Sequence, residues 1–495
     1  MGSSRQKSPP SALQSLFTLI RVSLSLRDLN AKTLDDDALF TLSFEMITAS
    51  GRVQCTQIRS SFSHRGERKD DVHRNRLKSS SEWGKTTFRF SNRRDVFFAK
   101  KKRNNGRTSS SNNTKIVMIV SASSSSSNTN NNRKYNFSAG PAMLPLDVLE
   151  DAQKDLVDYK GTGMSVLEMS HRGKDFTSIA RKAEQDFREL VNVPENYKVI
   201  FVQGGASTMF ASNALNLCPT GKEKADFVTT GAWSKKALGE AKKFCDAGEA
   251  ATSKESNFST IPERNTWNLR DGAKFVHICE NETIGGVEFK ETPVGLPDGA
   301  VLVADHSSNY LSKPIDVNKY GIIYGGVQKN IACAGMGIAI IREDLIGNAA
   351  PNTPTMLDFS THSENESMYN TPPCYTWYIS GLVFAKLLRE GGLSAMEKRN
   401  QEKAKVLYDT IDASAGYYNC PTDLKYRSMM NVPFTLAKGG DVEKQFLKEA
   451  SDAGFESLKG HRSVGGARAS IYNAMPKEGV EALAAFMKDF QSRNA

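Results

Sequence analysis

From Tyr135 onward, short wholly apolar runs alternate with amphipathic helical patterns, and this alternation constrains the fold more than any other feature of the chain. Residues 174–191 place Phe176, Ile179, Ala180, Ala183, Phe187, Leu190 and Val191 on one stripe at helical spacing. The run Val199–Val202 follows, ends in Gly204-Gly205, and leads into a second helical pattern from Ser207 to Leu217. Phe227-Val228 leads in the same way to Gly231 and a helix around Ser234–Phe244, and Phe275–Ile278, Val301–Ala304 and Ile322–Tyr324 are further runs of this kind. Strands apolar along their whole length are buried on both faces. The spacing therefore predicts an α/β fold with a mostly parallel sheet flanked by helices. Beyond Gly391-Gly392 the texture changes. Helices over 397–410, 442–453 and 477–490 mix with short strands at 431–435 and 467–472, predicting a smaller α+β domain.

The formal net charge of +10 separates into two parts at the same texture break. Residues 1–134 carry 25 basic and 10 acidic side chains, leaving 40 of the 65 basic and 45 of the 55 acidic groups in the body, which is net acidic. A nucleic-acid partner for the body is therefore disfavoured. No run approaches 18 apolar residues, so no transmembrane helix is expected. The seven cysteines form no C-x-x-C pair, which fits a reducing compartment and no structural metal. The leader holds 25 serines and ends in a Ser/Asn tract at 121–132 that cannot bury enough apolar surface to order itself. It reads as a disordered transit peptide and linker, with the plastid stroma ahead of the mitochondrion as destination. The acidic cluster Asp35–Asp37 and the length fit that reading poorly, and the basic run Lys100–Arg103 also suits a nuclear or RNA-binding tail.

In an open parallel sheet, ligands bind beyond the carboxyl ends of the strands. After Val199–Val202 come Gln203-Gly204-Gly205-Ala206-Ser207-Thr208, glycines and hydroxyls at a helix start, where backbone N–H groups and the helix dipole suit a phosphate. Such turns also carry glycines for geometry alone. Asp305 ends one run, and Gln328-Lys329-Asn330 follow the next. On these residues alone, a solvated lysine that ends a strand is an equal reading of Lys329. Together, a phosphate cradle, a carboxylate and an amine on neighbouring strands are the parts that pyridoxal phosphate requires, with Trp233 placed to stack on its ring. Two His-Arg pairs, His171-Arg172 and His461-Arg462, and Arg468 after Gly465-Gly466 point to a doubly acidic substrate, because guanidinium groups bind carboxylate and phosphate bidentately.

The body over 135–495 resembles the phosphoserine aminotransferases, fold-type-I, class V enzymes. The resemblance rests on YNFSAGPA at 135–142, SHRGKDF at 170–176, NETIGGV at 281–287, SSNYLSKPIDV at 307–317, YGGVQKN at 324–330, YNTPP at 369–373, MNVPF at 430–434 and GHRSVGGARASIYNAMP at 460–476. It implies a seven-stranded sheet in a large cofactor-binding domain over 147–395 and a small domain over 396–495 joined by 135–146. It also implies reversible transamination of 3-phosphohydroxypyruvate by L-glutamate, in serine biosynthesis. Lys329 matches the Schiff-base lysine with Gln328 beside it, Asp305 the partner of the pyridine nitrogen, Thr283 a ring contact and Trp233 the stacking residue. Ala206 and Ser207 match the phosphate loop, and Asn370 and Thr371 match residues reaching the phosphate from the second subunit of a homodimer. His171, Arg172, His461 and Arg462 match the site for the distal phosphate or carboxylate, and Arg468 the α-carboxylate arginine.

Three departures stand out. Ser207 replaces an arginine found in some members, and His306 follows the aspartate where an apolar residue is usual. Residues 331–334 read Ile-Ala-Cys-Ala where Gly-Pro is expected, implying a more flexible or strained turn after the lysine. The alternatives are another class V enzyme, such as a serine–glyoxylate aminotransferase, and a catalytically silent binding protein.

Overall fold

The computed structural model describes residues 19–25, 37–48, 51–63 and 133–495. Contacts divide the chain into two units, Met1–Ala122 and Ser123–Ala495. In the first, β1 (Leu19–Ser25), β2 (Asp37–Thr48) and β3 (Gly51–Ser63) pair antiparallel in that order. The remainder of the leader reading, including the Ser/Asn tract and Lys100–Arg103, lies outside the described residues.

The second unit opens with β4 (Tyr135–Asn136) and is organised by a seven-stranded sheet. Its strands are β5 (Tyr197–Gly204), β6 (Lys224–Thr229), β7 (Asp246–Thr252), β8 (Ala273–Cys279), β11 (Val301–Asp305), β12 (Ile322–Gly326) and β13 (Gly335–Arg342). A two-residue ribbon, β9 (Asn281–Glu282) and β10 (Val287–Glu288), branches off between β8 and β11. The strand order is β5-β13-β12-β11-β8-β6-β7, parallel throughout except for β13, which runs antiparallel to both β12 and β5. Every residue of β11 and β12 is buried, as unbroken apolar runs require. Two strands had no such run marked for them. β7 (DAGEAAT) sits at the sheet edge with only Ala247 and Ala250 buried, and β13 begins with glycines in the turn after Lys329.

Because side chains alternate along a strand, the sheet faces two separate cores. On one face lie Val199, Phe201, Ile338 and Ile340 with α2 (Lys174–Val191) and α6 (Cys374–Arg389), where Phe201 stacks on Trp377 at 4.2 Å. On the other lie Ile200, Val202, Tyr324 and Ile341 with α3 (Ala206–Leu217) and α4 (Ala232–Ala241). The short helices α1 (Leu146–Lys154) and α5 (Phe359–Glu364) pack around the rim. Gly391, at φ +94°, breaks the path from α6 to α7 (Gly392–Asp412).

The C-terminal region contains a sheet β14 (Tyr418–Asn419), β15 (Asn431–Leu436) and β17 (Ala467–Ser470). β16 (Phe455–Glu456) pairs parallel with β4, tying residues 135–136 to this region. With α8 (Gly440–Asp452) and α9 (Lys477–Asn494) these enclose a third core, in which Phe446 meets the rings of Tyr418, Phe434, Phe486 and Phe490. Full burial of a side chain of this size contributes about 1.5–3 kcal/mol.

Candidate active site

Asp305 closes β11, and Lys329 lies in the turn that joins the neighbouring β12 to β13. The Lys329 Nζ donates to Thr283 Oγ1 at 2.6 Å and sits 5.0 Å from the centroid of the Trp233 indole. Gly140, at φ +138°, brings the YNFSAGPA segment against the lysine stem, where an added Cβ would stand 3.1 Å from Lys329 Cγ. Burial pushes the Lys329 ammonium below its usual range, opposed by Asp305, Cys279 and Glu282 and reinforced by Arg468. Burial likewise raises the Asp305 carboxyl, opposed by Lys329 and by Ser307, whose N–H and hydroxyl both donate to Oδ1 (2.8 and 2.5 Å). Among the described residues, the hydrogen bonds to this carboxylate all fall on Oδ1.

The backbone of the turn after Lys329 shows no positive-φ strain. The N–H groups of Ile331 and Ala332 both reach Val327 O, and no residue from 327 to 334 has positive φ. Cys333 Sγ lies 3.2 Å from Thr376 Oγ1 at the start of α6, and the Thr376 hydroxyl donates to Ala334 O. The turn is pinned to a helix by side chains that replace proline's stiffness. Gln328 folds back against Gly326, and its carbonyl accepts from Ala142 N.

The turn read as a phosphate cradle leads directly into α3. Gly204 (φ +99°) and Gly205 (φ +141°) make the turn into α3, whose Ncap supplies no side-chain cap. The backbone N–H groups of Ala206 and Ser207 are therefore open at the positive end of the helix. Asn370 and Thr371 lie beside this turn on the same chain, both accepting from Gln203 Nε2 (2.7 and 2.8 Å).

Glu282 is a residue that sequence reasoning missed. Fully buried on β9 next to Thr283, it accepts from the backbone N–H groups of Trp233 (3.1 Å) and Ser234 (2.8 Å) and from Ser234 Oγ (2.6 Å). It thus caps α4 from a different element and fixes the indole relative to Thr283. Burial raises its pKa, and these donors oppose the rise. Gly231 is required here, since a Cβ would fall 2.3 Å from Glu282 Cδ. Asn281 continues the connection, donating to Ser308 Oγ and to Asn431 Oδ1, while Asn431 donates to Ser470 Oγ two residues beyond Arg468.

His461, Arg462 and Arg468 come together on the loop before β17 and on that strand. The His461 imidazole is pushed below its usual range by burial and by the cations Arg468, Arg462 and Lys236. Arg468 is largely buried with Nε unpartnered, and among the described residues no carboxylate pairs with it. His171 and Arg172 are elsewhere. They precede α2 and border a shallow cavity shared with Arg181, Glu364 and Glu366, and no hydrogen bond or ion pair among the described residues joins them to the Arg468 group. His306, the other departure, is a buried neutral ring between Tyr310 and Tyr320 with no contact to Lys329.

The residues fit pyridoxal phosphate. The Asp305 carboxylate, the uncapped N–H groups at Ala206-Ser207, the Trp233 indole and the lysine amine over it are groups suited to its ring nitrogen, phosphate, π face and aldehyde.

The model of the family "Aminotransferase class-V" matches residues 134–483. A chloroplastic phosphoserine aminotransferase 1 of Arabidopsis thaliana is 54% identical over 363 residues, 73% of this chain and 84% of that protein. A phosphoserine aminotransferase of Hahella chejuensis is 54% identical over 73% of this chain and 99% of its own length. Among solved structures, the phosphoserine aminotransferase of Bacillus circulans subsp. alkalophilus superposes with TM-score 0.70 at 45% identity, covering 73% of this chain and 99% of that one. A PLP-bound phosphoserine aminotransferase from Trichomonas vaginalis gives 0.69 at 39% identity, covering 72% and 100%.

Proposed function

We propose a division of labour among these residues from the premise that this chain belongs to the phosphoserine aminotransferases of class V. It moves an amino group reversibly between L-glutamate and 3-phosphohydroxypyruvate, giving 2-oxoglutarate and O-phospho-L-serine, in serine biosynthesis. The observation that carries the assignment of roles is the cation group His461–Arg462–Arg468 beside the Lys329–Asp305 pair.

Bound pyridoxal phosphate supplies an aldehyde for amines and, when protonated at the ring nitrogen, a sink for the electrons of the substrate Cα–H bond. Asp305 would keep that nitrogen protonated. Ala206 and Ser207 would hold the phosphate through N–H groups at the α3 terminus, and Trp233, Thr283 and Gln328 would contact the ring. Lys329 would hold the cofactor through its amine and would take up the substrate Cα proton, a task suited to an amine whose pKa burial has lowered. Arg468 pairs with the α-carboxylate common to all substrates. His461 and Arg462 receive the distal group, and one cationic pocket serves both substrates because phosphate and γ-carboxylate are both anions. With the reactive groups all in place, neither the silent binding protein nor another class V chemistry is favoured.

Two further parts belong to this proposal. His171, Arg172, Asn370 and Thr371 complete the site of a second copy in a homodimer. In support, the first two lie away from Arg468 in their own chain. The exposed apolar residues Leu149, Leu156, Val157, Met164 and Leu167 belong to a segment that packs along α6, directly after the exposed Tyr369. The leader directs the chain to plastids, supported by the names of the Arabidopsis relatives. The body works as two lobes, 147–395 and 396–495 with 135–146.

The test mixes two inactive variants, Lys329→Ala and Arg172→Ala, under conditions that allow subunit exchange. Shared sites restore about a quarter of the activity toward 3-phosphohydroxypyruvate and glutamate, since one of the two sites in each mixed dimer receives no lesion. No recovery despite demonstrated exchange would remove the shared-site reading.

A further inference from the structure

Lys236 is exposed on α4, one helical turn after Trp233, with its Nζ 4.1 Å from the centroid of the indole on which the Lys329 amine also bears. No carboxylate pairs with it among the described residues. Glu240, four residues on along α4, pairs with Lys243, and Glu282 is buried and committed to the α4 N–H groups and Ser234. The loop that carries His461 has the same peculiarity: among the described residues Arg462 is exposed without an acidic partner, and His461 spends Nδ1 on Ser463 Oγ (2.8 Å). Lys236 is close enough to depress the His461 imidazole together with Arg468 and Arg462, after burial. Three cationic side chains, Lys236, Arg462 and Arg468, thus surround the His461 ring with no carboxylate paired to any of them among the described residues. Like charges so placed repel one another, and only an anion bound between them turns the arrangement into attraction. The indole face confines a lysine stem that would otherwise sweep a wide volume, which lowers the entropy cost of using its charge.

We propose that Lys236 is a further specificity-determining residue, which binds the distal anion of the substrate from the α4 wall, opposite His461 and Arg462. The proposal rests on the aminotransferase reading above. It assigns to Lys236 the distal phosphate or γ-carboxylate and leaves the α-carboxylate to Arg468. Since a phosphate monoester carries about −1.5 to −2 charges at neutral pH, the phosphorylated substrate responds to this cation more strongly than glutamate does.

The experiment uses the full-length holoenzyme and three variants: Lys236→Met, which keeps the stem on the indole without the charge, Lys236→Glu and Lys236→Arg. Half-reaction rates are measured with O-phospho-L-serine, L-glutamate and L-alanine, with inorganic phosphate as a competing probe. For O-phospho-L-serine, Lys236→Met lowers kcat/KM about tenfold and Lys236→Glu about a hundredfold, through KM, and Lys236→Arg restores most of the loss. Glutamate follows with a smaller loss, the alanine rate does not follow, and the inhibition constant for inorganic phosphate rises in step with the phosphoserine KM. The visible absorption of the bound cofactor stays that of the wild type. Equal losses with alanine, or an altered cofactor spectrum, would show that Lys236 acts only through Trp233 and would overturn the proposal. No loss with any substrate would overturn it as well. A wild-type enzyme that fails to prefer phosphoserine over alanine would instead overturn the underlying functional reading.

Discussion

Replacing His306 by phenylalanine should make the protein resist acid better while changing little at pH 8. Both ring nitrogens of His306 are buried without a hydrogen-bond partner, and the ring lies 6.0 Å from Tyr310 and 5.7 Å from Tyr320, an aromatic setting that phenylalanine can fill. Burial first, and then the Lys313 ammonium, push the imidazole down to about 3, whereas an unfolded histidine titrates near pH 6.5. The folded pKa is depressed, so at pH 5 the unfolded chain binds a proton that the folded chain refuses. The stability owed to the neutral ring is whole above about pH 6.5 and drains away as pH falls toward about 3. Between the unfolded pKa and pH 5 the loss amounts to about 2 kcal/mol, from 1.36 kcal/mol per pH unit over about one and a half units. Glu280, pushed up to about 7 by burial, works in the opposite direction, so the absolute stability of either protein is not the readout. The readout is the difference between His306→Phe and wild type, measured by urea unfolding at pH 8 and at pH 5. Any overpacking cost is common to both pH values and cancels. The variant should gain about 2 kcal/mol on the wild type between those two conditions. Parallel pH profiles for the two proteins would refute the argument that the ring is neutral and buried.

Lys329→Ala should still bind cofactor through the α3 cradle and Asp305, yet lose at least about a thousandfold in turnover, because nucleophile and proton carrier go together; retention of a tenth of wild-type rate in a steady-state assay would reject the assignment. Glu282→Gln turns one acceptor of three charge-assisted bonds into a donor facing N–H groups, and should cost about 2–4 kcal/mol in denaturant unfolding and weaken the quenching of Trp233 fluorescence by cofactor. Arg462→Ala should lower kcat/KM about tenfold to a hundredfold for phosphoserine and spare alanine, whereas Arg468→Ala should harm all amino-acid substrates alike; matching substrate profiles would abolish the division between the two sites. A chain that begins at Asn130 should match the full-length protein in activity, checked by the same half-reactions, since every proposed site residue lies beyond it.

The sequence made some of this architecture visible and concealed the rest for identifiable reasons. Asp305 and Lys329 could be located because buried parallel strands are apolar to their last residue, so a charged group at the end of such a run stands out against it. The edge strand β7 gave no such contrast, since an edge needs only part of its surface buried. β13 carries a strong apolar run, but its reversed direction is a property of the whole sheet and not of its own residues. Glu282 looked like any acid inside a motif. Its meaning depends on Gly231 and Ser234, some fifty residues earlier, which only the folding of β9 against α4 brings to it. The His-Arg pairs were legible as anion binders, but their spacing says nothing of whether they meet within one chain.

The reversal of β13 also bears on how this chain can change over generations. Asp305 ends a strand that reaches its parallel neighbour β12 by a crossover through 306–321, a route that can absorb an extra residue along its length. Lys329 sits instead in a closed connection between two strands that are paired to each other, held at its neck by the bond from Val327 N to Met336 O. Beyond Lys329 and Asn330, which are tied to Thr283, Tyr310 and Asn473, residues of that loop can be exchanged as long as their number is preserved. A single insertion would slip β12 against β13 and turn alternate side chains to the opposite core. The segment around the lysine is thus open to drift in letters and closed to drift in length.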